Sequence, residues 1–225
     1  MERRLAAVLA ADMVGYSRLV EMDEDGVLAR HKALCKRLIE PQITQYRGRI
    51  VKTTGDGMLV EFASAQDAVR SAIAIQNEMA QQECDEEEAR RIRYRVGVNL
   101  GDVVFEDGDI YGDGVNVAAR LEGLAEPGGV CISDIVHQTV MDRVDVHFRD
   151  MGGQRVKNIS RPIKVWQWSP AARPEPEPQG VALQQRVRYC TSADGVHLAY
   201  ATIGSGPPVL KAPNWINHLE YEWQS

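Results

Sequence analysis

Two aspartates open the chemical reading of this chain. Asp12 closes the apolar run Leu5-Ala6-Ala7-Val8-Leu9-Ala10-Ala11, and Asp56 stands between two glycines in Val51-Lys52-Thr53-Thr54-Gly55-Asp56-Gly57. Two carboxylates about 4 Å apart repel by about 4 kcal/mol at an effective dielectric constant of about 20. Such a pair needs a compensating charge. A divalent ion with oxygen ligands, Mg²⁺ or Mn²⁺, meets that need when phosphates complete its shell. The same residues also have a structural reading, in which Asp12 caps a helix and Asp56 makes a hairpin turn. Spacing alone leaves both open.

The elements that would position these residues follow from hydrophobic periodicity. Residues 5–12 read as a short buried strand. Residues 24–46 read as a helix, with Val27, His31, Leu34, Cys35, Leu38 and Ile39 near helical spacing. Pro41 is expected to break or kink it. Residues 49–54 and 57–62 read as strands joined by Gly55-Asp56-Gly57, both glycines being expected to supply left-handed backbone freedom. A second helix places Ala65, Ala68, Val69, Ala72, Ile73 and Met79 on one face, and the run Asp85-Glu86-Glu87-Glu88 is its solvated end. Strands are expected over 92–98 and 102–106, a helix over 113–125, and further strands near 129–133, 145–150 and 163–168. A strand–helix–strand crossover would make the first two strands parallel. Their carboxyl ends then emerge on one edge, with Asp56 beside Asp12. The element order predicts an α+β, ferredoxin-like domain: a mixed, largely antiparallel sheet with helices packed on a face.

Composition narrows the function classes. Hydrophobic residues make up 44% and charged residues 26%, the balance of a globular chain. A net charge of −6 argues against nucleic acid as the partner. The four cysteines form no CxxC pair, which argues against a disulfide scaffold or zinc site and points to a cytoplasmic setting. The apolar N-terminal run is cut short by Asp12, so it reads as a strand and not a signal peptide. No stretch approaches the roughly 18 apolar residues a membrane span requires, so no membrane partner is expected. No GxxxxGK[ST] loop occurs, and no GxGxxG follows a strand, so a nucleotide would have to be held in another way. Pro170, Pro174, Pro176 and Pro178 alternate with glutamates, a stiff linker. The expected organisation is a main domain over 1–168, a linker over 169–185, and a remainder over 186–225 too short for a core of its own.

Three separated stretches then resemble one known family. Asp12-Met13-Val14-Gly15-Tyr16-Ser17, Val51 to Gly57, and Asp109-Ile110-Tyr111-Gly112-Asp113-Gly114-Val115-Asn116-Val117-Ala118-Ala119-Arg120-Leu121-Glu122 resemble the class III nucleotide cyclase catalytic domain. The resemblance covers residues 5–168 and implies an adenylyl cyclase converting ATP to cyclic AMP and pyrophosphate. It implies that Asp12, Asp56 and the backbone carbonyl of Met13 hold two metal ions per site. It matches Lys52 and Asp109 to the pair that reads the base. Lysine has only donors and ionised aspartate only acceptors. Adenine offers the complement, an acceptor at N1 and a donor amine at N6, whereas guanine reverses the pattern. Asn116 and Arg120, four apart and so on one helix face, match the residues that orient the ribose and stabilise the transition state. The structural alternative pairs Arg120 with Glu122. Lys157, in Gln154-Arg155-Val156-Lys157-Asn158, looks like the phosphate-contacting lysine on a looser match.

The resemblance also implies a homodimer with sites shared between chains. Asp102 departs from it, standing where family members often carry an arginine that contacts phosphate. The connection from Val103 to Asp109 is short as well, so a dimer-clasping arm looks reduced. The alternative is a weak or inactive nucleotide-binding regulatory module. A diguanylate cyclase is disfavoured by the missing GG[DE]EF signature. Arg188 to Tyr200 and Gly204-Ser205-Gly206-Pro207-Pro208 resemble the opening hairpin of an α/β-hydrolase domain without its GxSxG elbow, so the chain reads as a piece of a longer protein.

Overall fold

An alanine-rich strand lies inside the sheet because both of its faces are covered. The computed structural model describes residues 2–157, 159, 161–170, 186–191 and 197–202. Strand β1 (Glu2–Met13) is buried continuously from Ala6 to Ala11. Ala7, Leu9, Ala11 and Met13 face one apolar layer, while Ala6, Val8 and Ala10 face another. Small side chains let both layers approach the strand closely.

The first layer holds α1 (Tyr16–Leu34), α2 (Glu40–Gln45), α3 (Ala65–Gln82) and α5 (Asp134–Val140). The second holds α4 (Asp113–Leu124), whose Ala118 meets Val8 and Val103. Helices therefore cover both faces, not one. The remaining strands are β2 (Arg49–Thr54), β3 (Gly57–Phe62), β4 (Tyr94–Glu106), β5 (Asp109–Tyr111), β6 (Val130–Ser133), β7 (Arg149–Gln154) and β8 (Ile163–Trp168). They form one sheet in the order β2-β3-β1-β4-β6-β8-β7, with β5 paired to β4. β1 and β2 are each antiparallel to β3, which lies between them, so they run parallel to each other as expected. The only parallel neighbours are β4 and β6 among the described residues. The mixed, largely antiparallel sheet with packed helices is the expected α+β class.

Several boundaries differ from expectation, each for a physical reason. The first helix starts at Tyr16 and kinks at Asp23, whose carboxylate accepts the Gly26 N–H at 3.0 Å and caps the second segment. Pro41 does not end the helical run. A wide turn over Cys35–Ile39, in which the Glu40 N–H reaches the Cys35 carbonyl, makes room just before the proline ring. The two strands expected over 92–98 and 102–106 are one unbroken β4. Asn99 and Gly101 read as a break, but both serve the packing of α4: Asn99 Nδ2 donates to the Gly114 carbonyl at 3.0 Å, and a Cβ on Gly101 would lie 3.2 Å from Gly114 Cα. Helix α5 was not anticipated because Ile135, Val136, Thr139 and Val140 are β-branched and carry little helical signal. The strand expected at 145–150 lies at Arg149–Gln154.

The chain divides into two compact units, Met1–Arg173 and Pro174–Ser225. In the second, β9 (Arg186–Thr191) and β10 (His197–Thr202) form an antiparallel hairpin. The linker expected over 169–185 lies outside the described residues beyond Pro170, as do Asn158 and the Gly204–Pro208 stretch. No helix among the described residues is long and apolar enough to cross a membrane.

The contact that seats α4 is at Gly97. A Cβ there would lie 2.2 Å from both the Ala118 carbonyl oxygen and the Glu122 nitrogen. Gly97→Ala must push α4 outward and is expected to cost about 1–3 kcal/mol of stability. Urea denaturation checks this, and an unchanged midpoint would contradict the contact.

Candidate active site

Strand pairing brings the two aspartates together. Asp12 is in register with Gly57, and the Met13 N–H donates to the Asp56 carbonyl at 3.0 Å. Gly55 turns the hairpin in the left-handed region at φ 72. Gly57 does not share that conformation, contrary to expectation. It is glycine for close approach: a Cβ would lie 2.8 Å from Thr54 Oγ1, 3.2 Å from the Ala11 carbonyl and 3.4 Å from Asp12 Oδ1. Asp12 lies inside β1, and α1 is preceded by Gly15 with no side-chain cap, so the helix-cap reading of Asp12 falls. Burial raises the Asp12 pKa first and the Asp56 charge raises it further, while Arg95 works the other way. The second of these causes is the repulsion anticipated for a carboxylate pair. The Met13 side chain is buried in the core behind it.

A polar cluster lies on the α1 side of the same strands. Tyr94, paired with Met13 in register, is buried, and its hydroxyl meets His31 Nε2 at 2.5 Å. Cys35 Sγ lies 3.2 Å from the same nitrogen. Burial drives the Tyr94 pKa far above its ordinary value, with Cys35, Asp12 and Asp56 adding to it. Burial lowers the His31 pKa against an opposing pull from Asp56. Both shifts favour the neutral forms of the phenol and the imidazole.

The proposed base-reading residues meet directly. Lys52 Nζ donates to Asp109 Oδ2 at 2.7 Å. Two local features make this possible. A register shift between Ile50 and Lys52 re-aims the β2 lysine. A two-residue turn, Asp107 (φ 51) and Gly108 (φ 83), folds β5 back on β4 and sets Asp109 opposite Glu106. Positive φ at both central residues is the hairpin geometry that Asp-Gly favours. The short connection between Val103 and Asp109 is thus an ordered hairpin. The Lys52 hydrogen bond, more than any other contact, holds the Asp109 pKa below the usual carboxylate range, with help from the Ile110 N–H and Tyr111. Three strands separate β2 from β5, yet their side chains touch, so this end of the sheet curls. Arg49 adds a second link across the curl, to the Gly108 carbonyl at 3.4 Å.

A cleft of about 520 Å³ is lined by Asp12, Lys52, Thr54, Tyr111, Asn116 and Glu122, among others. Asp109 lines an adjoining hollow with Arg49 and Phe105. One chain therefore gathers Asp12, Lys52 and Asn116 on one cleft. Arg120 is exposed on α4 outside this lining, and no ion pair joins it to Glu122 among the described residues. Lys157 is exposed in the turn after β7, the edge strand farthest from β2. Asp102 is exposed on β4 and does not line the cleft.

Arg95 and Glu122 were not singled out as site residues. Arg95 is in register with Asp12. Its alternation with the core-facing Tyr94 and Val96 was visible, but its partner strand was not. Glu122 is half-buried, and its pKa is pushed up to about 7, by burial first and then by Asp12, with Arg95 opposing. The donor set suits a hard divalent ion, since Asp12 and Asp56 offer only oxygen. No third His, Cys, Asp or Glu completes a metal cluster among the described residues. Further ligands would have to be backbone, water or substrate oxygens.

Fold and site together define a nucleotide cyclase domain, and comparison with known proteins agrees. Residues 4–168 match the adenylate and guanylate cyclase catalytic domain, and the chain belongs to that family. A putative adenylate cyclase 3 from Rhizobium meliloti (strain 1021) is 53% identical over 184 residues, 82% of this chain and 31% of that protein. An adenylate cyclase from Glutamicibacter nicotianae is 35% identical over 146 residues, 63% of this chain and 33% of that protein. The chain thus spans about a third of the length of these curated relatives. The crystal structure of an adenylate/guanylate cyclase/hydrolase from Silicibacter pomeroyi is 60% identical with a TM-score of 0.72, covering 75% of this chain and 98% of that one. The adenylyl cyclase CyaB from P. aeruginosa is 26% identical with a TM-score of 0.63, covering 77% and 98%.

Glu122 generates a pH prediction. Its folded pKa of about 7 exceeds the ordinary 4.5, so the folded state binds more protons between those values. The stability this contributes is present below the lower value and is lost as pH rises through the higher one. Glu122→Gln removes that loss. Its urea midpoint is expected to gain on the wild type between about pH 5 and about pH 8 in metal-free buffer. A gap that shrinks with rising pH would contradict the assignment.

Proposed function

We propose that the chain is an adenylyl cyclase catalytic unit that converts ATP to cyclic AMP and pyrophosphate at sites shared between two copies. The observation that carries this reading is the Lys52–Asp109 pair at 2.7 Å, whose donor and acceptor complement the edge of adenine. Lys52 donates to adenine N1, and Asp109 accepts from the N6 amine. Guanine would set donor against donor and acceptor against acceptor, which a desolvated site rejects strongly. Asn116 orients the ribose so that its 3′ oxygen faces the α-phosphorus. The 3′-hydroxyl releases its proton to solvent, the new P–O bond forms as the bond from the α-phosphorus to the bridging oxygen breaks, and pyrophosphate leaves. Arg120 stabilises the charge that grows on the α-phosphate, and Lys157 contacts the phosphates. Mg²⁺ or Mn²⁺, two per site, held by Asp12, Asp56 and the Met13 carbonyl, would supply the charge that activates the 3′-hydroxyl and the leaving group.

A partner copy answers a problem of reach. Four strand spacings, about 19 Å, separate β1 from β7. Lys157 follows β7, so a lysine from another chain is better placed to share a substrate with Asp12. Symmetric pairing would make two equivalent sites, each taking its aspartates from one chain and its Asn116, Arg120 and base-reading pair from the other. Residues 186–225 are read as the opening of an α/β-hydrolase-like domain, a reading supported by the β9–β10 hairpin.

The test is cyclic AMP formation from ATP and, in parallel, cyclic GMP formation from GTP, each with Mg²⁺ and Mn²⁺. Asp12→Ala is expected to abolish product. Asp56→Ala and Arg120→Ala should each be inactive, yet an equal mixture should recover about a quarter of wild-type activity, because half the dimers carry one intact site. No recovery from variants that still dimerise would end the shared-site reading. Wild type no better than Asp12→Ala would favour the inactive nucleotide-binding module.

A further inference from the structure

Tyr111 is a large aromatic residue left 50% exposed on the strand that carries Asp109. Alternate residues of a strand share a face. Ile110 turns into the core, at 1% exposure, so Asp109 and Tyr111 point together to the other side. Tyr111 belongs to none of the apolar clusters among the described residues, so packing gives no reason for an aromatic here. It lines the cleft with Asp12, Lys52 and Asn116. The centre of its ring is 5.7 Å from Lys52 Nζ. Its hydroxyl interacts with the Asp109 carboxylate, which lowers the Asp109 pKa and raises that of Tyr111.

The hydrogen bonds around Asp109 suggest what this tyrosine does. Asp109 Oδ2 already takes the Lys52 ammonium and Oδ1 the Ile110 N–H, each at 2.7 Å. Lys52 first, then Ile110 and Tyr111, favour the ionised carboxylate, which acts only as an acceptor. A purine whose edge meets Lys52 and Asp109 leaves its two ring faces to be covered by something else. An aromatic side chain at the same cleft offers a flat surface with two rotatable bonds to fix. We propose that Tyr111 is a specificity-determining residue of the purine subsite: its ring covers one face of the adenine, and its hydroxyl aims Asp109 at the N6 amine. This rests on the adenylyl cyclase reading above. The two halves of the role are separable, since phenylalanine keeps the ring and alanine keeps neither.

The experiment compares wild type, Tyr111→Phe and Tyr111→Ala. It reads kcat and KM with ATP and with GTP, and the Kd of α,β-methylene-ATP and α,β-methylene-GTP, which cannot be cyclised. Tyr111→Ala is expected to raise KM for ATP and the Kd of the adenine analogue about fivefold to tenfold, with kcat changed by about twofold or less. Tyr111→Phe should hold the adenine Kd near wild type while lowering the ATP-over-GTP ratio of kcat/KM by about threefold or more. A purely structural tyrosine would shift the melting temperature and kcat while leaving both ratios alone, and that result overturns the proposal. If Tyr111→Ala does not fold, Tyr111→Phe decides by the nucleotide ratio alone. If wild type binds the analogue yet makes no cyclic AMP, the catalytic reading fails while the Kd series still judges Tyr111. Wild type that binds neither analogue overturns both.

Discussion

The site depends on holding two like charges side by side against their repulsion. Nothing in the Asp12 and Asp56 side chains favours their meeting, and the Asp12 pKa is raised by burial first and then by its neighbour's charge. What holds them is backbone: the β1–β3 ladder, the Met13 to Asp56 hydrogen bond, and a glycine small enough to let Asp12 lie against the turn. Electrostatic strain is thus stored by hydrogen bonds that do not themselves titrate. Such a site is preorganised for a cation, because the cost of assembling the charges is met by folding and not by binding. Arg95 offsets part of that cost from the neighbouring strand.

The two halves of the chemistry sit on different kinds of support. The aspartates stand on a strand end and a turn, tied at several points. The helix carrying Asn116, Arg120 and Glu122 is seated by direct backbone approach at Gly97, Gly101 and Gly114, with Asn99 bonding across. The Val103 and Asn99 side chains lie in the same contact, so α4 has little freedom to slide. Its exposed face keeps Asn116 and Arg120 free for whatever approaches.

Much of this was legible in the sequence, and what was not has a common cause. The Gly55–Gly57 hairpin, the helix from Ala65 and the helix after Asp113 announce themselves through local turn chemistry and periodicity. The union of Asp12 with Asp56 followed from topology alone. Features that depend on a distant partner did not show. Asn99 and Gly101 looked like a chain break because a glycine that seats a helix and a glycine that turns a strand are the same letter. Gly57 misled in the same way, a close approach read as a turn conformation. Arg95 and Glu122 acquire meaning only from the β1–β4 register and the docking of α4. Arg120 and Lys157 were nominated by resemblance, and a single chain does not bring them to the cleft.

The Lys52–Asp109 bridge joins strands that stand at opposite ends of the series β2-β3-β1-β4-β5. It turns a curled sheet into a closed hoop, with one ion pair as its clasp. A purine held by both residues would take the clasp's place and become a link in the hoop. Widening the gap for an ill-fitting base then means uncurling hydrogen-bonded strands, not swinging a loop. The jaws of such a base site would be stiff because a piece of the sheet itself forms their hinge.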